Sequence, residues 1–178
     1  QYVKQGRYGA GIEIEVEELP QNRVAVTVLI DEGEVAAISV INIVGNLIFD
    51  DATLKPLFEL KESNLLSFIS QDDKYNREKL TGDIERVESY YLNRGYLDFS
   101  VESTQVTISP DRDSVFITMN IKEGSIHTVS EIVLAGNPMI PEKEIRSLIV
   151  QKEGEDFSQF LMTFSSEKIA ERLGNDGY

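Results

Sequence analysis

The chain has 178 residues, is 41% hydrophobic and carries a formal net charge of −14 from 31 acidic and 17 basic side chains. The hydrophobic fraction suffices for buried cores, which excludes global disorder, and the acidic excess repels phosphate backbones and anionic lipids, so we expect no nucleic-acid partner. Cysteine is absent and no apolar run approaches the roughly 18 residues of a transmembrane helix, so disulfides, thiolate metal sites and a membrane-spanning helix are excluded from this sequence.

The first 33 residues predict a β-hairpin that follows the end of a helix at Gly6. Alternating apolar residues over 12–19 and 24–30 are typical of two strands, and the Pro-Gln-Asn sequence at 20–22 supplies the turn. A hairpin alone buries little surface, so we interpret this segment as the end of a larger unit.

The next unit begins with a β-branched run at 38–44 that ends at Gly45, which predicts a strand followed by a turn. A short helix is predicted after it, because three apolar residues then lie at helical spacing. These residues are Leu54, Leu57 and Phe58.

Pro56 leaves two starts open for this first helix. If Asp50 caps a helix that begins at Asp51, Pro56 removes an interior hydrogen bond and should kink the helix. If Thr53 is the N-cap, Pro56 lies harmlessly in the first turn. We favour the short helix capped by Thr53.

Residues 74–94 predict the second helix, the clearest in the sequence. Its apolar face repeats at steps of four, three and four residues: Leu80, Ile84, Val87 and Tyr91. Charged residues between them suit a solvated face: Glu78, Lys79, Asp83, Glu85, Arg86 and Glu88. Gly95 stands where a left-handed C-cap residue is expected. Gly82 weakens the helix by about 1 kcal/mol relative to alanine, which we attribute to close packing on a neighbour.

Two strands, over 99–108 and 115–121, follow the second helix and are joined by a turn at 110–113. The second strand has one apolar face made of Val115, Ile117, Met119 and Ile121. In the first strand the apolar positions change from odd (Phe99 and Val101) to even (Val106 and Ile108). A β-bulge within 102–105 would keep both pairs on the buried face, so we predict one there.

Residues 125–178 repeat the beginning of the preceding unit, with a strand and two helical stretches that end at Gly177-Tyr178. Glu-Gly and Gly-Asn pairs recur at a constant offset of 91 residues (32 to 123 and 45 to 136). A period of this length is too long for a solenoid and suits a string of small domains. We therefore divide the chain into residues 1–33, 34–124 and 125–178.

The ordered pattern resembles the POTRA family. The resemblance rests on a strand ending in Val-Gly-Asn (44–46), a second helix ending in Tyr-Tyr-Leu-Asn-Arg-Gly-Tyr (90–96) and a hairpin ending in Glu-Gly (123–124). It implies an α+β fold of tandem domains, each β-α-α-β-β with two helices packed on a three-stranded mixed sheet. Residues 1–33 are then the C-terminal hairpin of one POTRA domain, 34–124 a complete domain, and 125–178 the strand and two helices of a further one.

The resemblance implies a periplasmic arm of an outer-membrane β-barrel assembly machine, attached to the membrane by a C-terminal barrel outside this sequence. The implied partners are unfolded outer-membrane proteins, which bind by β-augmentation, and assembly-machine lipoproteins. The alternative is a POTRA scaffold of another system, such as a two-partner secretion transporter or a division protein, that binds one fixed partner. An unrecognised enzyme is the third reading, but no Ser/His/Asp set, phosphate loop or metal-ligand cluster is apparent, and we expect no cofactor and no metal.

A right-handed crossover would lay the strand at 38–44 parallel to the one at 115–121 and give the sheet order first-last-middle. The middle strand is then a free edge whose main chain can pair with a guest peptide, and no proline interrupts it. The predicted peptide-binding residues are Phe99, Ser100, Val101, Glu102, Ser103, Thr104, Gln105, Val106 and Thr107.

Two short links without proline are predicted to act as interdomain hinges of limited motion. The first consists of Glu32, Gly33, Glu34 and Val35, and the second of Glu123, Gly124, Ser125 and Ile126. His127, beside the second link, is predicted to be a surface or interface residue rather than a catalytic base. The tyrosines of the second helix, Tyr90 and Tyr91, and the following Tyr96 are assigned to core packing and helix capping rather than to a docking surface.

Overall fold

The computed structural model describes residues 7–33, 35–64, 67–136 and 140–174. The elements in chain order are β1 (Gly11–Leu19), β2 (Arg23–Asp31), β3 (Ala37–Val44), α1 (Asp51–Leu54), α2 (Ser67–Ser70), α3 (Arg77–Leu92), β4 (Ser100–Ile108), β5 (Ser114–Lys122), α4 (Glu142–Leu148) and α5 (Gln159–Gly174). The fold is α+β, as predicted. Strands β1 and β2 form a hairpin, and the other strands form a three-stranded mixed sheet in the order β3-β5-β4.

The β1–β2 hairpin is antiparallel from Gly11 opposite Asp31 to Leu19 opposite Arg23. Gln21 and Asn22 have left-handed backbone angles in the turn. Isoleucine and valine residues lie opposite each other on one face, and they are exposed: Ile12, Ile14, Val16, Val26, Val28 and Ile30.

The core of the complete unit lies between the three-stranded sheet and its helices. Strand β5 is central, with β3 parallel to it and β4 antiparallel to it. The alternating apolar face predicted for β5 is confirmed, since Val115, Ile117, Met119 and Ile121 are all buried. They pack in one cluster with residues from β3, α1, α3 and the loop between α1 and α2, among them Ile38, Ile41, Leu54, Leu60, Leu80, Val87 and Tyr91.

The predicted bulge in β4 is confirmed. The register against β5 shifts between Val101 and Ser103, which makes Glu102 the additional residue. The cause is the side-chain alternation of a strand, because the extra residue restores the buried face that the sequence would otherwise turn outward.

The predicted cap of the first helix is wrong. Asp50 is the N-cap, and its side-chain Oδ1 accepts hydrogen bonds from Thr53 N at 2.9 Å and Thr53 Oγ1 at 2.7 Å. Pro56 is accommodated because the α-helix ends at Leu54 and continues as a short 3₁₀ turn, Lys55–Leu57. The chain therefore avoids the kink that an uninterrupted α-helix would suffer at the proline.

Helix α3, predicted over residues 74–94, is capped at both ends. Asn76 is the N-cap and accepts a hydrogen bond from Lys79 N at 2.9 Å. Gly95, just beyond the helix, has φ of +88°, the left-handed conformation predicted for it.

Two predictions about the interior of α3 are wrong. Asp83 is fully buried rather than solvated, because its carboxylate accepts hydrogen bonds from Glu59 N at 2.6 Å and Leu60 N at 3.1 Å and from Arg86. Gly82 has no close neighbour, since an added Cβ would meet only Arg86 Nη1, at 3.8 Å. Packing against the rest of the chain therefore does not explain this glycine.

The last unit forms its two helices, α4 and α5, but the predicted strand is wrong within the described residues 125–136. Only an isolated bridge between Thr128 and Asp156 is present there. The Gly177-Tyr178 helix end lies outside the described residues.

Within the described part of the chain, no helix is long and apolar enough to cross a membrane.

Candidate functional site

The three-stranded sheet has two outer strands, β3 and β4. The first part of the outer side of β3 is covered from the loops before and after α2, because Ser63 N donates to Ile38 O (2.7 Å) and Ile38 N donates to Asp73 O (2.7 Å). Tyr75 N donates to Ala36 O at 3.1 Å just before β3 begins. Strand β4 pairs with β5 on one side. The predicted order of strands in the sheet is confirmed, and β4 lies at an edge of the sheet.

The register shows which main-chain groups of β4 face outward. Ser109 N donates to Ser114 O at 2.9 Å, so this pair is hydrogen-bonded across the hairpin. Bonded and non-bonded pairs alternate along an antiparallel ladder. The N–H and C=O groups of Thr104, Val106 and Ile108 therefore point away from β5, whereas those of Ser103, Gln105 and Thr107 point toward it.

The side chains of β4 separate into two faces. Ser103, Gln105 and Thr107 are exposed on the outer face, and Thr104 and Val106 are half-buried on the face toward α3. Before these residues, Ser100 and the bulge residue Glu102 are exposed and Val101 is half-buried.

Phe99, the first of the predicted peptide-binding residues, precedes β4 and is buried. Its ring stacks on Tyr91 with the centroids 4.2 Å apart. Phe99 therefore belongs to the core rather than to the exposed edge.

A cavity of about 420 Å³ lies between β4 and α3, and we call it the β4 groove. It is lined by Tyr8, Tyr75, Arg77, Leu80, Thr81, Ile84, Thr104 and Val106. Burial raises the pKa of the Tyr75 phenol, and burial together with the neighbouring Tyr75 raises the pKa of Tyr8. Both tyrosines are therefore neutral over the physiological range and present their rings to the groove without a charge.

The first link packs against the segment that precedes β1. Arg7 Nη1 donates to Gly33 O at 2.5 Å, and Gly33 N donates to the Asp31 carboxylate at 2.9 Å. Gly33 has φ of +61°, and an added Cβ would lie 3.0 Å from Gly9 C. Glu32 is exposed, Val35 is half-buried, and Glu34 lies outside the described residues.

The second link begins with a side chain that is part of the interior. The Glu123 carboxylate is 7% exposed and accepts hydrogen bonds from Leu47 N at 2.8 Å, Ile48 N at 3.0 Å and Tyr91 Oη at 2.7 Å. Burial and this carboxylate raise the pKa of Tyr91 well above its ordinary value. Glu123 thus ties the end of β5 to the loop after β3 and to α3.

Around the rest of the second link, the units before and after it contact each other closely. His127 N donates to Gly95 O at 2.8 Å, and Asn93 Oδ1 accepts from Phe160 N, in the first turn of α5, at 2.7 Å. Gly124 has φ of +73°, and an added Cβ would lie 2.7 Å from Asp98 Cβ. Ser125 and Ile126 are exposed. His127 therefore lies at the junction between two units, where a surface or interface role was predicted.

Among the described residues, no three His, Asp or Glu side chains are grouped so that they could hold a metal ion. Strand β4 has an open main-chain edge, and a partly apolar groove lies beside it. This geometry is suited to binding an extended peptide.

A protein-family model described as POTRA, surface antigen variable number repeat, matches residues 36–124 and 127–178. The chain belongs to the POTRA family. The family assignment made from the ordered repeats of the sequence is therefore confirmed.

Two curated relatives match the POTRA chain over its whole length. It is 28% identical over 179 residues to the outer membrane protein assembly factor BamA of Neisseria meningitidis serogroup B, covering 100% of this chain and 22% of that protein. It is 28% identical over 177 residues to BamA of Buchnera aphidicola, covering 99% of this chain and 29% of that protein. The chain thus spans between about a fifth and a third of the length of these relatives.

The fold also matches a solved structure described as the crystal structure of Haemophilus influenzae BamA POTRA3-5. The TM-score is 0.62 at 21% identity, with 96% of this chain and 65% of that chain covered. At this identity the match shows the fold alone.

Tyr8, Tyr75 and Arg77 were not predicted to belong to the site. They come from two stretches of the chain, the segment before β1 and the start of α3, and the fold brings these stretches together beside β4. No spacing or composition signal marks them, because each is an ordinary loop or helix residue in its own stretch.

Proposed function

We propose that this chain is part of the periplasmic arm of an outer-membrane protein assembly factor, and that β4 of its complete POTRA domain binds unfolded outer-membrane proteins as an added strand. The observation that carries the proposal is the open main chain of β4 beside the β4 groove. The similarity to two proteins named outer membrane protein assembly factor, over 99% or more of this chain, supports it. Docking of assembly-machine lipoproteins is part of the proposal and rests on the same similarity.

The division of the chain into a C-terminal hairpin (1–33), a complete domain (34–124) and the first part of a further domain (125–178) belongs to this proposal. The two stretches matched by the family model support it. We further propose that both links are hinges of limited motion. The hydrogen bonds of Arg112, Asn93 and His127 across the two junctions support restrained movement.

The energy of strand addition fits a passing client. Thr104, Val106 and Ile108 offer one donor and one acceptor each along the outer side of β4. A main-chain hydrogen bond contributes about 1 kcal/mol net, and ordering a guest segment costs a few kcal/mol. The balance is weak and reversible binding that tolerates many sequences, because the main chain carries most of the recognition.

The β4 groove adds a preference for pattern. A guest strand places every second side chain on the same face as Thr104 and Val106, next to Leu80 and Ile84 of α3. Its other side chains lie on the exposed face beside Ser103, Gln105 and Thr107. The favoured guest therefore alternates apolar and polar residues, which is the pattern of strands in transmembrane barrels.

The test uses a fluorescein-labelled peptide that alternates Val and Thr over eight residues, with anisotropy as the measure of binding to the 178-residue chain. Thr104→Pro removes an outward N–H and places a ring on the free side of β4, where a proline is compatible with the fold. We expect roughly tenfold weaker binding, from the lost hydrogen bond and the obstruction by the ring.

Thr104→Ala is the matched control, because it removes the same side chain and keeps the N–H; it should bind within about twofold of the original chain. Circular dichroism and thermal unfolding establish that both variants fold. Equal peptide affinity for the original chain and a folded Thr104→Pro variant would refute strand addition at β4.

A further inference from the structure

The β4 groove is built by two units of the chain rather than one. Seven of its lining residues belong to the complete POTRA domain, and the eighth, Tyr8, precedes β1 and belongs to the unit before it. The Tyr8 and Tyr75 rings lie with their centroids 6.3 Å apart, which places Tyr8 against the wall that the domain itself provides. The surface beside the free edge is thus continuous with an interdomain contact.

Tyr8 closes one particular end of the groove. Arg112, in the turn between β4 and β5, donates from Nη1 to Tyr8 O at 3.2 Å. Tyr75 lies just before the first residue of α3. Tyr8 is therefore at the end where Ile108 leaves β4, and the opposite end near Val101 has no residue from the preceding unit among its lining.

The position of Tyr8 is tied to the first link. Arg7 Nη1 donates to Gly33 O at 2.5 Å, and the backbone of Gly9 and Ala10 lies within 3.3 Å of where a Gly33 Cβ would stand. A change of angle at this link moves the segment that carries Tyr8 relative to β4. The last part of the groove wall then opens or closes with the angle between the two units.

We propose that Tyr8 is a specificity-determining residue of the β4 groove. The groove binds the apolar side chain at one end of an added alternating strand only when the preceding unit is docked and Tyr8 completes the groove wall. This inference rests on the proposed function and adds to it that strand capture and the angle at the first link are coupled. Because the coupling is reciprocal, a bound strand holds the two units in the docked arrangement.

The reason is the chemistry of the groove surface. A guest side chain beyond Val106 would meet Leu80 and Ile84 on one side and open solvent on the other if Tyr8 were absent. The neutral ring of Tyr8 supplies the missing apolar contact. Its contribution is largest for a guest with an aromatic or branched aliphatic residue at that position and small for one with a polar residue there.

The experiment measures binding of the same alternating Val/Thr peptide to the 178-residue chain carrying Tyr8→Ala, Tyr8→Phe or Arg112→Ala. Tyr8→Ala is expected to weaken binding at least fivefold, and Tyr8→Phe to bind within twofold of the original chain, since the ring and not the hydroxyl forms the contact. Arg112→Ala, which removes the hydrogen bond to Tyr8 O, is expected to fall between them. Arg23→Ala is its matched control, because it removes the same charge in the far β1–β2 turn.

A peptide of identical composition with its four Val residues consecutive tests whether the alternation matters. We expect its affinity to be the same for the original chain and for Tyr8→Ala. If Thr104→Pro abolishes binding while Tyr8→Ala leaves it unchanged, the role of Tyr8 is refuted and strand addition at β4 stands. If Thr104→Pro has no effect, both proposals fail. Thermal unfolding of each variant verifies that a loss of affinity is not a loss of folding.

Discussion

At the scale of single residues, the buried Glu123 carboxylate organises the end of the stretch 36–124 that the POTRA family model matches. It follows β5 directly and accepts hydrogen bonds from two successive amides of the loop after β3, at Leu47 and Ile48. It also accepts a hydrogen bond from the hydroxyl of Tyr91, a fully buried residue of α3. A carboxylate satisfied by several donors is stable in the interior, whereas loss of one donor leaves charge uncompensated. The second Glu-Gly pair therefore combines an internal anchor, Glu123, with a left-handed glycine, whereas in the first pair Gly33 is left-handed and Glu32 is exposed.

Replacement of Tyr91 by phenylalanine tests this anchor. At pH 7 the variant should be less stable by about 2 kcal/mol, because Glu123 loses a charged hydrogen bond. The pKa of Tyr91 is raised in the folded chain, so the stability linked to its proton is complete below about pH 10, its ordinary value, and declines above that pH as the unfolded phenol ionises.

Urea unfolding at pH 7, 10 and 11 measures this effect. Between pH 7 and 11 the original chain should lose about 1.4 kcal/mol more than Tyr91→Phe, because only the original chain retains this phenol. A constant difference across these pH values would contradict the raised pKa.

At the scale of elements, strand β4 and helix α3 form the site together, and each contains a local irregularity. The bulge at Glu102 keeps Val101 on the inner side and returns Thr104 and Val106 to the groove side. The glycine within α3 and the glycine just after it differ in backbone conformation and surroundings. Gly82 is in the helix interior with open space around it, whereas Gly95 adopts a positive φ at the end of the helix and touches the following unit.

Alanine at these two glycines should have opposite effects on stability. Gly82→Ala should stabilise the chain by about 0.5–1 kcal/mol, because alanine loses less backbone entropy in a helix and its methyl group meets nothing closer than 3.8 Å. Gly95→Ala should destabilise it by more than 1 kcal/mol, since its Cβ would lie 2.8 Å from His127 O at a φ of +88°.

Urea unfolding of both variants under one set of conditions gives the comparison, with the original chain as reference. If Gly82→Ala instead lowers the free energy of unfolding, close packing within the folded chain would after all explain why this position is a glycine.

At the scale of the whole molecule, each junction is held by contacts that cross from one unit to the next. At the first junction Arg7 donates a hydrogen bond to Gly33 O of the link. Tyr8 contacts the following unit through the Tyr75 ring and through the hydrogen bond from Arg112 to its carbonyl oxygen. At the second, Ser158 caps α5 from its own unit by accepting from Leu161 N, and Asn93 caps it from the preceding domain by accepting from Phe160 N. A helix N-terminus has free N–H groups that need acceptors, so the orientation of α5 is linked to the end of α3.

Asn93→Ala should loosen the second junction. The variant loses a cap contribution of about 1 kcal/mol, and the angle between the two units is then less restrained. Because the chain has no cysteine, spin labels can be placed at Glu78→Cys and Glu167→Cys, one in each unit. The distance distribution between them should broaden in Asn93→Ala, and Asn93→Asp, which keeps an acceptor, should retain the narrower one. Equal widths in all three chains would show that the cap does not restrain the hinge.

Local patterns determined most elements of this protein. The alternation of Val115, Ile117, Met119 and Ile121 predicted a half-buried strand, and the change of parity in the preceding strand predicted a bulge whose position the structure confirms. The glycine at 95 predicted the left-handed helix end. These features depend on a few consecutive residues and on the periods of strands and helices, which are the same in every protein.

Only the tertiary structure decided which polar residues are buried and which stretches form the groove. Asp83 has the spacing of a solvated residue, and it is buried because two amides from residues 59 and 60 approach it. The strand expected after residue 125 is not formed within the described residues 125–136. Tyr8 and Val106 are 98 positions apart and share one wall of the groove. Periodicity describes a residue's own element, whereas these contacts depend on how distant elements pack, and that is set by the core as a whole.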